Sequence, residues 1–400
     1  MNVYFLRKHR ILPAAFSLVY VFAMLCSTRC FAQSKTSPVI NMVFSSDAHY
    51  GISRIKFRGD SNVSSHVVNA AMIQQMNSIP DLTLPQDGGI NSGKKAGYID
   101  YVIQTGDIAN RMEAPIQGAA ASWAQFEMDY MQSVKLNGPD GKPAKLLLAP
   151  GNHDISNAIG FTKPLKPLTD PTAMVKIYNL MLKPAKPLTN EDYNYHTEKI
   201  NYSFNVKGIH IMFITLWPDS AERIWMEKDL IKVAKSTPVI IFTHDQPECE
   251  SKHFTNPTSP YNMTEENKFQ NLTEEHYKEG HVASADDGAT QIEQRGFVKF
   301  LKRYTNIKAY FHGNSNWNEF YTYHGPDNDV NLKVFRVDSP IKGKFSAKDE
   351  TLLSFQLISI DPALQKLTVR ECLWNTQPLQ KGQKVVFGKS ATISLKVSSQ

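Results

Sequence analysis

Four hundred residues with 42% hydrophobic and 20% charged side chains are ordinary globular composition, which excludes a disordered or fibrous chain. The formal charge is +6, but Arg7, Lys8, Arg10 and Arg29 lie within the first 32 residues with no acid among them, so the chain beyond that segment carries +2. Such a balance gives no reason to expect a polyanionic partner, and it disfavours a nuclease or another nucleic-acid binder.

At the start of the chain, Arg7, Lys8 and Arg10 precede an apolar run from Ile11 to Cys26 and then small residues up to Ala32. That is the layout of a secretory signal peptide, with the cut expected after Ala32 and Gln33 as the first mature residue. The rival is an uncleaved anchor, but the run is shorter than the roughly 20 apolar residues a spanning helix needs. The expectation is a secreted or periplasmic protein with no stable membrane insertion after cleavage. Cys26 and Cys30 leave with the leader, and Cys249 and Cys372 remain either as a disulfide or as two buried thiols.

Beyond the leader, short apolar runs each end in a polar cluster. Val39 to Phe44 leads into Ser45-Ser46-Asp47-Ala48-His49, Tyr98 to Gln104 into Thr105-Gly106-Asp107, and Leu146 to Ala149 into Pro150-Gly151-Asn152-His153-Asp154. Later, Pro238 to Thr243 leads into His244, and Ile307 to Phe311 into His312-Gly313-Asn314-Ser315-Asn316. Helical patterns over Ser65–Ser78, Ser122–Val134 and Glu222–Ala234 intervene, so the fold class is α/β with helices covering a sheet. In open α/β sheets ligands sit outside the carboxyl ends of the strands, where these clusters can converge.

The mature domain is expected to run from 33 to 400. Two insertions, about 161–188 and 248–288, read as loops over the rim of the site, where substrate choice is made. The tail from 331 to 398 reads as alternating strands with a β-hairpin turning at Asp361-Pro362.

Taken singly, each cluster is weak, because Asp-x-His and Gly-Asp are common in turns and Gly-Asn-His can cap a helix. In this order, Asp47-Ala48-His49, Gly106-Asp107, Gly151-Asn152-His153-Asp154, His244 and Gly313-Asn314-Ser315-Asn316 resemble the blocks of the calcineurin-like metallophosphoesterase superfamily. The resemblance runs from about Val39 to about Asn316. It implies a four-layer α/β/β/α sandwich and two divalent metal ions (Mn, Fe, Zn or Mg). Carried over by position, Asp47, His49 and Asp107 hold the first metal, and Asp107 bridges to a second held by Asn152 and His244. A shared carboxylate offsets the repulsion between cations ~3.5 to 4 Å apart.

The activity so implied is hydrolysis of a small phosphomonoester or phosphodiester by a metal-activated water. His153 is the candidate proton donor to the leaving oxygen, with helix capping as its structural alternative, and Asp154 is expected to orient or charge it. Arg111 is either a bidentate phosphate clamp or a solvated arginine.

The chain departs from the pattern at its end, where the superfamily usually has Gly-His-x-His. Asn314 and Asn316 replace both imidazoles with carboxamides, which remain possible ligands but are harder donors. The expectation is weaker Zn²⁺ binding and a shift towards Mn²⁺, Mg²⁺ or Ca²⁺. Loss of one metal would instead leave a catalytically weak or inactive protein that binds a phosphorylated ligand. His312 points to the opposite strand face from Gly313 and reads as structural.

Overall fold

In the computed structural model the described residues are Met1, 39–157, 168–248 and 291–397. The leader, Cys249 and nearly all of the 248–288 insertion lie outside them.

Among the described residues, fourteen strands form two six-stranded sheets and one hairpin. The first sheet has the order β14-β13-β12-β1-β4-β5, with β1 Ile40–Ser45, β4 Tyr101–Gln104, β5 Lys145–Leu148, β12 Ser354–Asp361, β13 Lys366–Leu373 and β14 Val386–Ser394. The second has the order β10-β11-β9-β8-β7-β6, with β6 Tyr202–Val206, β7 Ile209–Phe213, β8 Val239–Phe242, β9 Ile307–His312, β10 Glu319–Tyr323 and β11 Leu332–Arg336. The hairpin pairs β2 Ser53–Phe57 with β3 Asp60–Ser64. Strands β1, β4 and β5 run parallel, as do β7, β8 and β9.

The two sheets face each other, and residues of period two show which side is which. Ile40, Met42 and Phe44 of β1 join Ile240 and Phe242 of β8 in the core between the sheets, while Val43 and Ile241 point the other way, into separate cores. On the outside of the first sheet lie α1 Ser65–Met76, α2 Ala119–Phe126, continued by one π-helical stretch Glu127–Gln132, and α4 Thr172–Leu182, while the short α3 Asn152–Ile155 opens the chain after β5. The second sheet is covered by α5 Ser220–Leu230 and α6 Gln291–Arg303. Helix, sheet, sheet, helix is the expected four-layer α/β/β/α sandwich.

An aromatic stack fixes the strand ends from which the motif loops leave. Phe242 stacks on Phe311 at 4.7 Å and on Phe213 at 5.1 Å, and meets Phe44 edge-on at 5.7 Å. Phe44 and Phe242 lie just before Asp47 and His244, so this close-packed stack ties the two sheets together where the clusters emerge.

One expectation changes. The 161–188 insertion is not all loop: Thr172–Leu182 is a helix, and Met174, Val175 and Ile177 are buried against the first sheet. The prolines of the insertion lie outside those bounds and Lys176 within the helix is exposed, so apolar spacing sets its conformation. The C-terminal hairpin is present between β12 and β13, pairing Asp361 with Lys366, but it is no appendage, because β12 pairs antiparallel with β1 at the centre of the sheet. Among the described residues no helix is long and apolar enough to cross a membrane. Cys372 is a free, buried thiol.

Candidate metal centre

The carboxyl ends of β1, β4, β5, β8 and β9 deliver the motif residues to one place. After β1 and β4 the two loops run side by side: Asp47 N–H donates to Gly106 O at 3.0 Å, His49 N–H to Asp107 O at 2.8 Å, and Tyr50 N–H to Ile108 O at 2.8 Å. These bonds hold Asp47, His49 and Asp107 in the left-handed region, at φ 56°, 44° and 53°. Asn314 and Asn316 share it, at 58° and 64°. Residues other than glycine avoid this region, and their concentration in these loops marks strain stored at a functional site.

Two glycines permit the close approach. A Cβ on Gly151 would lie 2.3 Å from Asp107 Oδ1, and one on Gly313 would lie 2.3 Å from Asp47 Oδ2. Neither position has room for a side chain.

The ligand-type atoms converge on Asp107. His49 Nε2 is 3.5 Å and His153 Nε2 3.8 Å from Asp107 Oδ2, and His244 Nε2 is 3.4 Å from Asp107 Oδ1. Asp47 Oδ1 lies 3.6 Å from His49 Nε2. His244 Nδ1 sits 2.6 Å from Thr105 O and donates to it, which turns Nε2 towards Asn152 Oδ1 at 3.0 Å. Two sets of three, His49-Asp107-His153 and Asp47-Asp107-His244, each offer donor atoms within 4.8 Å of one another, and Asp107 belongs to both.

These residues fit divalent metal. Asp47 Oδ1, both ring nitrogens of His49 and Asn316 Oδ1 are buried without a hydrogen-bond partner. Buried polar atoms are otherwise almost always satisfied, and Asp47 and His49 carry theirs within the two donor sets, as a cation site requires.

Protonation follows the charges. Burial raises the Asp107 pKa, but His153, His244 and His49 outweigh it and hold the carboxyl below its ordinary value. Burial lowers His244, but Asp107, Asp47 and Asp245 raise it above the usual imidazole value. His49 and His153 are held well below that value, by burial first and by Lys342 second. Both are therefore neutral imidazoles with a lone pair to offer.

The remaining expected residues fall out as follows. Arg111 is 4% exposed, so it is not a solvated arginine; its Nη1 donates to Asn110 O at 2.9 Å and lies against His153 Nδ1. Asp154 does not orient His153 as expected. Its carboxylate accepts the amides of Ala109 at 3.0 Å, Gly151 at 3.0 Å and Ile108 at 3.2 Å, stapling the β4 loop to the β5 loop. Burial and then Asp107 push its pKa up to about 7 against those three donors. The His153 ring is placed instead by Asn110 O, 2.7 Å from Nδ1, and by Lys342 Nζ, 3.1 Å from Nε2.

The closing pair is asymmetric. Asn314 uses its amide to donate to Asp245 and, at 3.2 Å, to Gln246, while its backbone N–H donates to Asp47 Oδ2 at 2.9 Å. Asn316 donates to Asn314 O at 2.5 Å and keeps its buried oxygen unpaired. His312 lies apart from both sets of three, with Nδ1 2.9 Å from Gly313 O and Nε2 3.3 Å from Tyr321 Oη. Lys342 and Asp245 were not legible as site residues, since Lys342 follows the last motif in a tail that reads only as strands.

A family model, calcineurin-like phosphoesterase, matches residues 43–313. The chain belongs to the calcineurin-like phosphoesterase family. The matched span runs from within β1 to Gly313 and includes Asp47, His49, Asp107, Asn152, His153 and His244. Among solved structures, a dimetal phosphatase from Danio rerio is similar at 9% identity and a TM-score of 0.49, covering 90% of this chain and all of that one. Vps29 from Chaetomium thermophilum is similar at 10% identity and 0.32, covering 90% and 98%, and a Vps29 mutant from Entamoeba histolytica at 8% and 0.31, covering 89% and 100%. No curated protein matches.

Proposed function

We propose that this member of the calcineurin-like phosphoesterase family hydrolyses esters of phosphate on small molecules at a dinuclear divalent-metal centre. The observation that carries the reading is the sharing of one buried carboxylate, Asp107, by two sets of donor residues, surrounded by buried donor atoms that nothing else satisfies. By the family pattern, which regroups the two donor sets by pairing Asp47 with His49 and leaving His153 out, Asp47, His49 and Asp107 would hold one ion, and Asp107, Asn152 and His244 the other, with Asn316 Oδ1 as the available closing oxygen. Bound cations supply Lewis acidity to the phosphoryl oxygens and a nucleophile from water near neutral pH, one way a protein without a nucleophilic side chain breaks such a bond.

The chain's own residues do the rest. Burial of the donors keeps competing water out and strengthens their electrostatics. Arg111 beside His153 offers a planar fork for phosphoryl oxygens. His153 Nε2, next to the shared carboxylate, is assigned the proton transfer to the leaving oxygen, for which the resting neutral imidazole first takes up a proton.

The metals are of the Mn, Fe, Zn or Mg type, and the substrate is a small phosphorylated molecule rather than nucleic acid. The leader composition supports placing the mature protein outside the cytoplasm.

A second reading rests on Asn314, whose amide is committed to Asp245 and Gln246: a phospho-ligand-binding protein with little turnover. Two variants test the hydrolase and its division of labour. Asp107→Ala is expected to lose both bound metal and activity, whereas His153→Ala keeps the metal and slows turnover by about 10²- to 10⁴-fold. Metal loss in His153→Ala, measured by elemental analysis, would make His153 a ligand and overturn its assigned role.

A further inference from the structure

The loop between β11 and β12 is built to bring one lysine into the metal centre. Ser339 Oγ donates to Asp47 O at 2.9 Å and accepts the amides of Lys342 at 3.0 Å and Ile341 at 3.2 Å. Arg54, 2% exposed, donates to the carbonyls of Pro340 at 2.9 Å, Ile341 at 3.3 Å and Ser346. Lys344 N–H donates to Asn316 O at 2.5 Å, and Val337 N–H to His312 O at 3.0 Å. A loop fastened at this many points presents its side chains with little freedom, which lowers the entropy lost when they engage a ligand.

What it presents is the Lys342 ammonium, 3.1 Å from His153 Nε2, while the Arg111 guanidinium lies against Nδ1 of the same ring. Two cations thus flank one neutral imidazole whose Nε2 is 3.8 Å from the Asp107 carboxylate. Both cations border the ring that stands beside the shared carboxylate, so an anion of high charge bound against His153 meets positive charge from two sides.

We propose that Lys342 and Arg111 form a dicationic clamp for the non-bridging oxygens of a dianionic terminal phosphate, so that the substrate class is phosphomonoester rather than phosphodiester. A monoester near neutral pH carries close to two charges and three non-bridging oxygens, its second pKa lying near 6, whereas a diester carries one charge and two such oxygens. Lysine acts as a point charge and arginine as a bidentate fork, and only the dianion has enough oxygens for both cations as well as the metals. The substrate class rests on the hydrolase reading; the clamp itself does not.

The test uses Lys342→Met and Lys342→Arg in the full-length chain. On p-nitrophenyl phosphate and bis-p-nitrophenyl phosphate, kcat/KM of Lys342→Met is expected to fall about 10- to 100-fold for the monoester and by less than about threefold for the diester, with metal content unchanged. Lys342→Arg restores most of the monoester rate. Equal losses on both esters, no loss, or reduced metal content would overturn the clamp. Calorimetric binding of inorganic phosphate to the chelator-treated protein separates this proposal from the hydrolase reading. Tenfold weaker phosphate binding by Lys342→Met supports the clamp even where neither ester is turned over, and unchanged binding refutes it. A wild-type protein that binds phosphate but hydrolyses neither ester with any metal would refute the hydrolase and leave the clamp standing.

Discussion

Asn316 and Asn314 replace the same residue type, yet they face opposite demands. Asn314 spends its amide on Asp245 and Gln246, while Asn316 holds a buried, unpaired oxygen. A carboxamide oxygen is a harder ligand than imidazole, so the centre should favour Mn²⁺ or Mg²⁺ relative to Zn²⁺. Asn316→His is expected to tighten Zn²⁺ about tenfold, ~1.4 kcal/mol, in a competition titration. An unchanged Zn²⁺ affinity would mean that position 316 does not face the ion. At this scale the motif residues were legible, because each follows an apolar strand and supplies a donor side chain. Lys342 and the Ile108 and Ala109 amides that donate to the Asp154 carboxylate were not, because those contacts join loops distant in sequence and carry no local pattern.

Elements position the site through their ends. The parallel strands β1, β4 and β5, and β8 and β9 opposite, were readable from apolar runs, and their order in space was not. Nothing local in Ser354–Asp361 says that it lies beside β1, yet eight paired positions with β13 and five with β1 place it there. The helix Thr172–Leu182 was hidden by the prolines and lysines around its apolar face.

The loop after β11 adds a pH dependence. Asp338 is buried, 3% exposed. Burial pushes its pKa up to about 8, with Ser346 and Arg54 only partly opposing it. An unfolded aspartate titrates near ~3.9, so the folded state binds the extra proton between these values, and this residue's contribution to stability falls as pH rises from about 4 to about 8. Asp338→Asn removes that slope. In chemical denaturation of chelator-treated protein, the variant should gain a few kcal/mol on wild type between pH 5 and pH 8. An identical stability difference at both pH values would contradict the assignment.

For the whole molecule, the four-layer sandwich brings two cationic groups from loops distant in sequence, Arg111 and Lys342, to one ring, His153, so the site needs no large basic surface. Composition alone excluded a disordered chain and made a polyanionic partner unlikely, but the chemistry depends on which loops the two sheets bring together. The leader belongs to this scale as well. If it acts as a signal peptide, protein recovered from a secreting host begins at Gln33, and intact-mass measurement would show the loss of residues 1–32; retention of the leader would contradict the proposed export.

The account stands on metal-dependent ester hydrolysis at the Asp107 centre. The most direct measurement is the rate of p-nitrophenyl phosphate hydrolysis by chelator-stripped protein as Mn²⁺, Fe²⁺, Zn²⁺ or Mg²⁺ is added back. The prediction is background rate without metal, saturable recovery with at least one ion, and no recovery in Asp107→Ala. A rate at background with every ion would contradict it.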